Sequence, residues 1–308
     1  MYPEIAHWGM LHIRSYGVLL AVAFLVGTWL GLKEARRFGM DEDRFLTVIL
    51  FTLVGSIFGA RVLYVMEHIA DYRGQWSSAL ALWQGGLTLY GGIIAGTIVG
   101  LWMAKRQGLS VWRVADALAP SIVIGTAFGR VGCFLNGCCY GRPTHLPWGV
   151  VYPPDTFPGL EFGATPIHPS QLYFSFASLA LFAVVWAVRK RTVVPGTLFW
   201  GTLAAYALMR IPLDFTRAYE PGTVVTRLGA LDVTESQLVS LTLALFSALM
   251  LTRLRRAAAS APPAPLASSL PAPPAEAPLA AEPPPAQAPI ALASEAPRAV
   301  PPANPARP

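Results

Sequence analysis

The 308-residue sequence predicts an all-α, polytopic integral membrane protein with seven transmembrane helices, a small external cap and a disordered C-terminal tail. Three observations predict it. Hydrophobic residues make up 54% of the chain and charged residues 13%, against about 25% charge in an ordinary globular chain. Mean hydropathy is +0.48. The composition is also split: 16 of the 28 prolines lie in residues 257–308, so residues 1–256 hold nearly all the apolar bulk. Residues 1–256 are therefore expected to form the membrane domain and 257–308 a Pro/Ala-rich cytoplasmic tail without a packed core. The net charge of +6 does not point to nucleic acid, because the basic residues sit at the ends of apolar runs.

Seven apolar stretches approach the roughly 20 residues that cross a bilayer core. They are residues 15–32, 45–66, 87–104, 111–131, 170–188, 196–215 and 236–252. The first is not expected to be a cleaved signal peptide, because it has no basic leader and no small-residue cleavage site after it. Lys33, Arg36 and Arg37 follow it and put its C-terminal end in the cytoplasm. Lys105, Arg106 and Arg113 separate the third and fourth stretches or open the fourth. Arg189, Lys190 and Arg191 separate the fifth and sixth, and Arg253, Arg255 and Arg256 follow the seventh. Alternate loops are thus basic, as seven crossings with the N-terminus outside and the C-terminus inside require. The outer loops are 67–86, 133–169 and 216–235; the second, rich in Gly, Pro, Trp and Tyr, is expected to be an ordered cap.

Gly55 and Gly59, then Gly92, Gly96 and Gly100, then Gly125 and Gly129 recur at four-residue spacing, the pattern of close helix packing in lipid. Gly85-Gly86 and Gly91-Gly92 flank Tyr90 and predict a bent or re-entrant start to the third span. No internal repeat is evident.

Arg61, Arg130 and Arg210 fall inside apolar stretches. An Arg at a helix centre costs roughly 2.5–3.5 kcal/mol on insertion scales, so each needs a partner, a cavity or a headgroup. Arg61 could pair with Asp116, and Arg210 with Asp214 one turn along. Arg130 has no acid nearby in sequence and lies between Gly129 and Gly132 at headgroup depth, where a planar guanidinium suits a phosphate. Tyr206, Arg210, Asp214 and Arg217 share one helical face that rises toward the same outer side. His168, Gln171 and Tyr173 open the fifth span there, Tyr16 opens the first, and Thr234 is placed as the N-cap of the seventh.

These residues carry a resemblance. Arg14-Ser15-Tyr16-Gly17, the double-Gly segment 85–92, Asp116-Ala117-Leu118-Ala119-Pro120, Gly129-Arg130-Val131-Gly132 through Asn136-Gly137, His168 to Tyr173 and Tyr206 to Arg217 follow one another as in the bacterial prolipoprotein diacylglyceryl transferases. The sequence resembles that family over most of Tyr16 to Gln237. The resemblance implies a multi-pass enzyme of the bacterial cytoplasmic (inner) membrane, without a cofactor or metal. It would move the diacylglyceryl group of phosphatidylglycerol to the lipobox cysteine of a prolipoprotein signal peptide, forming a thioether and releasing glycerol 1-phosphate. On that reading Arg130, Arg210 and Tyr16 are the expected catalytic residues. Arg130, Tyr90, Asn136, His168, Gln171, Tyr173, Tyr206, Asp214 and Arg217 are expected to bind substrate.

The chain departs from the family where Cys133 stands for a frequent Asn, Cys138 for a frequent Glu and Tyr90 for a frequent His. The general base therefore stays open among His168, Asp214 and Tyr90. Cys133, Cys138 and Cys139 crowd the outer loop beside Arg130; a disulfide with one thiol left over is conceivable there, and a metal site is disfavoured because the run lacks paired spacing. A transporter for an anionic solute is the alternative, opposed by the gathering of polar residues at one leaflet. An intramembrane protease ranks last, because no Gly-x-Ser-x-Gly motif or pair of intramembrane Asp is present.

Overall fold

The computed structural model describes residues 4–8, 11–72, 76–82, 85–219, 223–228 and 231–260. The tail from residue 261 onward lies outside the described residues, and with it the expectation of disorder there. In chain order the elements are strands β1 (Glu4–Trp8) and β2 (Leu11–Arg14), then helices α1 (Ser15–Arg37) and α2 (Glu42–Glu67). A 3-10 turn (Trp76–Leu80) precedes α3 (Leu89–Arg106) and α4 (Val111–Asn136). Then come α5 (Phe157–Phe162), α6 (Ser170–Val188), α7 (Thr197–Asp214), β3 (Val224–Leu228), β4 (Leu231–Thr234) and α8 (Glu235–Ser260).

All seven apolar stretches become helices of 18 residues or more, and five of them are long and apolar enough to cross a membrane: α1, α2, α4, α6 and α8. The other two have identifiable dilutions. Lys105 and Arg106 fall inside the 18 residues of α3, and Arg210, Pro212 and Asp214 sit in the last turns of α7. The outward faces are apolar; Leu25 and Val54 are 67% and 65% exposed, as suits lipid rather than water.

α2 lies along α3, α1 along α4, α4 along α6 and α7 along α8. The α2–α3 contact depends on glycine. A Cβ on Gly55 would lie 2.8 Å from Val99 Cγ2, and one on Gly59 2.7 Å from the Gly91 carbonyl oxygen. Backbones this close replace the hydrophobic effect with van der Waals contact in lipid. The same expectation fails for Gly125 and Gly129, which have nothing within 4 Å of a Cβ position. Spacing alone does not reveal whether a glycine meets a helix or a void.

Several expectations need correcting. The chain is not purely helical: two antiparallel hairpins occur, β1–β2 and β3–β4. They also form an internal repeat that the sequence reading missed. Glu4 pairs with Arg14 and Val224 with Thr234, Trp8 with Leu11 and Leu228 with Leu231, each with a bulge after the first pair. Each hairpin runs straight into a helix, α1 or α8. Helix α4 continues to Asn136, so Cys133 is helical rather than part of a loop. It is closed by Gly137 at φ 73°, with Cys138 N–H donating to the Cys133 carbonyl, a Schellman-type end. Helix α8 runs to Ser260, past the boundary at 256, because Ala257 to Ala259 are strong helix formers and no proline occurs before Pro262. Thr234 caps α8 as expected: Gln237 N–H donates to its hydroxyl at 3.4 Å, and Gln237 Oε1 accepts from the Thr234 amide at 3.0 Å, a capping box.

Arg61 does not pair with Asp116. Its guanidinium donates to the carbonyls of Ser78, Ala79, Gly85 and Gly86 at 2.8, 2.8, 2.5 and 3.0 Å, strapping the approach to α3 onto α2. Gly85 and Gly86 have φ of 82° and 74°, and this turn is the bend that the glycine pairs predicted; Gly91 and Gly92 are ordinary helix. Asp116 instead accepts from the amides of Gly196 and Phe199 at 2.7 and 2.8 Å and satisfies the N-terminus of α7. At the opposite end of the helices from the cap, buried Glu34 bridges Arg37 at 2.6 Å and Arg189 at 2.9 Å, joining α1 to α6.

Candidate active site

A cavity of about 910 Å³ lies among α1, α3, α4, α7 and α8 at the end that carries the cap. Tyr16, Tyr90, Arg130, Tyr206 and Arg210 line it, together with apolar groups such as Leu89, Ile93, Ile122 and Leu203. Three helices begin at this wall, since Tyr16, Tyr90 and Ser236 each occupy the second residue of α1, α3 and α8. The positive dipole ends of those helices favour an anion in the space between them.

The two arginines differ. Arg210 is held: its Nε donates to Asp214 Oδ2 at 3.3 Å and to Ser236 Oγ at 3.0 Å, and its Nη2 donates to Ser236 Oγ at 2.6 Å. Ser236 in turn donates to Asp214 at 2.5 Å. Tyr219 donates to the other Asp214 oxygen at 2.9 Å and accepts from Arg217 at 3.0 Å. Burial pushes the Tyr219 phenol up from its ordinary pKa and keeps it a donor. The expected Arg210–Asp214 pair is therefore present, inside a larger network. Arg130 has no carboxylate partner and no side-chain hydrogen bond among the described residues. Its guanidinium rests on the ring of buried Phe174, 4.5 Å from the centroid, and Arg210 reaches the same ring at 5.9 Å.

The remaining expected residues lie behind or beside the cavity. Asp214 is 1% exposed and its oxygens are already engaged. Buried Gln171 donates to the Cys138 carbonyl at 2.8 Å and to Tyr152 at 3.2 Å; burial pushes Tyr152 up to about 12. His168 contacts Tyr173 at 3.3 Å, and Tyr173 accepts from Trp148 at 2.7 Å, within the cap. Burial lowers the His168 pKa, which favours the neutral ring. Asn136 is exposed at the end of α4. Ser170 bonds Thr216 at 2.9 Å and short bridges join Gly141 to Arg217 and Pro143 and Val150 to Ile167, which holds the cap against the end of α7.

Sequence reasoning did not single out Ser236, Tyr219 or Cys139 as cavity residues. Cys139 and Cys133 line the cavity, and all three cysteines are free thiols with sulfurs within 4.8 Å of one another. Hydrogen bonds from Cys133 and Cys138, with the charges of Arg217 and Arg130 behind them, hold the Cys139 thiol below the ordinary range.

A helical membrane protein with an apolar-walled cavity, a guanidinium left without a carboxylate among the described residues and converging helix N-termini defines a membrane enzyme that handles an anionic lipid. Comparison with known proteins agrees. Residues 3–253 match the family model described as prolipoprotein diacylglyceryl transferase, and the chain belongs to that family. A relative named phosphatidylglycerol–prolipoprotein diacylglyceryl transferase from Nostoc sp. is 35% identical over 246 residues, covering 78% of this chain and 84% of its own. Proteins of the same name from Aromatoleum aromaticum and Geobacter sulfurreducens are 34% and 31% identical, each covering 70% of this chain and 81% and 82% of their own.

Proposed function

We propose that this chain is a transferase that moves the diacylglyceryl group of phosphatidylglycerol to the cysteine thiol of a prolipoprotein signal peptide. The observation that carries the reading is Arg130: a guanidinium with no carboxylate paired to it among the described residues, on the wall of a cavity large enough for a lipid headgroup and its first acyl carbons. A phosphate supplies the missing partner, and a planar fork can donate two parallel hydrogen bonds to it.

In this reading the thiolate sulfur of the lipobox cysteine attacks the carbon of the diacylated glycerol that bears the phosphate ester. A C–S bond forms, the C–O bond breaks, and its electron pair leaves on glycerol 1-phosphate. The thiol proton ends on the leaving group or on water. Arg130 and Arg210 offset charge that grows on the phosphate, as preorganised donors in a water-poor site do. Tyr16 and Tyr90 are placed to hydrogen-bond phosphate oxygens, and Tyr206 stands one turn from Arg210 on the same wall. Asp214, with Ser236 and Tyr219, positions Arg210 rather than acting as a base. His168, Tyr173, Asn136 and Arg217 surround the rim, where they contact the incoming peptide, while Gln171, fully buried at the start of α6, supports the rim from behind.

The same reading places seven crossings in the bacterial inner membrane, with the hairpins and cap outside and the basic ends of α1, α3 and α6 in the cytoplasm. Detergent-solubilised protein, labelled phosphatidylglycerol and a lipobox peptide test it. Label should appear on the peptide in a thioether and be absent from a Cys→Ser peptide. Labelled lipid left intact by folded protein would overturn the assignment.

A further inference from the structure

The three cysteines are the chemistry that the transferase reading leaves unused. Cys133 lies in the last turn of α4, and the Gly137 reversal brings Cys138 and Cys139 back toward it. Cys139 is the one non-glycine residue with positive φ, at 58°, among the described residues. Such a backbone costs of order 1 kcal/mol or more and persists where something is gained by it. Here the turn aims a third sulfur at the other two. The sulfurs lie within 4.8 Å of one another, and none is oxidised. Around a zinc-sized ion with Zn–S near 2.3 Å, tetrahedral geometry sets S···S at about 3.8 Å. The cluster needs to close by at most about 1 Å to reach that spacing.

We propose that Cys133, Cys138 and Cys139 form a three-thiolate site for a thiophilic divalent cation of the zinc class, whose fourth position opens into the cavity and takes a thiolate. Cys133 and Cys139 line the cavity, while Cys138 lies behind them with its thiol on the Cys133 carbonyl at 3.7 Å, so the uncovered side of the triad faces the cavity. Three protein ligands with one open position is the arrangement of reactive rather than structural zinc. Three thiolates and one divalent ion carry a net negative charge, and Arg130, lacking a carboxylate among the described residues, stands on the same wall. A coordinated thiol is deprotonated outright, which a substrate cysteine of ordinary pKa near 8.5 requires before it can act as a nucleophile. The choice of a thiol as fourth ligand rests on the transferase reading; the metal site itself does not.

Full-length protein is purified in detergent without chelator or reductant, and its thiols and metals are counted after denaturation. Three titratable thiols and close to one zinc per chain are expected, with the zinc lost in the Cys133→Ser/Cys138→Ser/Cys139→Ser protein. Replacement by cobalt should give sulfur-to-cobalt charge transfer and the visible bands of a tetrahedral ion. A cysteine-containing lipobox peptide should move those bands and its serine counterpart should not. One thiol in place of three, reporting a disulfide, overturns the site, as does failure of the reduced wild-type protein to bind added zinc or cobalt. Bound cobalt that ignores the thiol peptide overturns the open position, and because metal content is read without turnover, it can fail independently of the transfer assay.

Discussion

The guanidinium of Arg130 lies 4.5 Å from the ring centroid of Phe174, and that ring is its only described protein support. The contact orients the cation without neutralising it, because an aromatic face attracts a cation yet leaves its five N–H donors free. Arg130→Ala should therefore lower transfer by about 10²–10³ or more, the usual effect of removing one preorganised donor. Arg130→Lys should stay well below wild type, since an ammonium cannot make the planar fork. Initial rates in membranes matched for protein level decide it, and a near-wild-type Arg130→Ala rate would remove the residue from the site.

Phe174→Leu isolates the support from the charge. It keeps an apolar side chain at a fully buried position and removes the ring face under both arginines. Transfer should fall several-fold with little change in expression, the loss expected from a cation–π contact of roughly 1 kcal/mol. An unchanged rate would mean that the guanidinium holds its place without the ring.

Ser236 is the hinge of the Arg210 network, accepting twice from Arg210 and donating once to Asp214. Ser236→Ala leaves the Arg210–Asp214 pair at its longer 3.3 Å contact and one Asp214 lone pair unmet. The melting temperature should drop by the equivalent of about 1–3 kcal/mol, and transfer should fall with it. Asp214→Ala should be worse, because a buried partner is removed from Arg210 and Tyr219 together. A Ser236→Ala protein as stable and active as wild type would show that the network is ornamental.

His168 makes a stability prediction with a definite sign. Its folded pKa lies below the ordinary value of about 6.5 because burial penalises the charged ring. The unfolded chain then binds more protons than the folded one as pH falls through that value. The stabilisation is complete above about 6.5 and is lost progressively below it. Melting curves from neutral to mildly acidic pH should show the loss, and His168→Gln should flatten that part of the profile. An unaltered slope in the variant would assign the acid sensitivity elsewhere.

Helix positions were legible because each apolar run is bounded by basic residues such as Arg36-Arg37 and Arg189-Lys190-Arg191. The Arg210–Asp214 contact was legible because i and i+4 must meet on a helix. Tyr16, Tyr90 and Tyr206 drew attention as polar groups near span ends, and the cavity gathers them with both arginines. What stayed hidden obeys no short-range rule. Arg61 binds backbone carbonyls, which every residue has, so no partner is written in the sequence. The hairpin repeat is carried by strands of only four and five residues. The gathering of three sulfurs depends on one glycine reversal that spacing does not report.

Arg61 offers the most direct test of how a residue outside the cavity shapes it. The side chain is buried, and its donors hold the carbonyls of Ser78, Ala79, Gly85 and Gly86. Those glycines lead into α3, whose second residue is Tyr90 on the cavity wall. Arg61→Met keeps the apolar stem and removes the clamp, leaving four carbonyls short of a donor. Net hydrogen bonds to a charged group are worth about 1.5–3 kcal/mol each and do not add, so a loss of about 3 kcal/mol or more is expected. Amide exchange at residues 85–90 should accelerate well before the helices unfold, and transfer should fall while Arg130 and Arg210 remain intact. Arg61→Lys should recover part of the protection, since one ammonium reaches fewer carbonyls than a fork. Exchange in Arg61→Met as slow as in wild type would show that the glycine turn holds its shape unaided, and Tyr90 would then owe its position to α2–α3 packing alone.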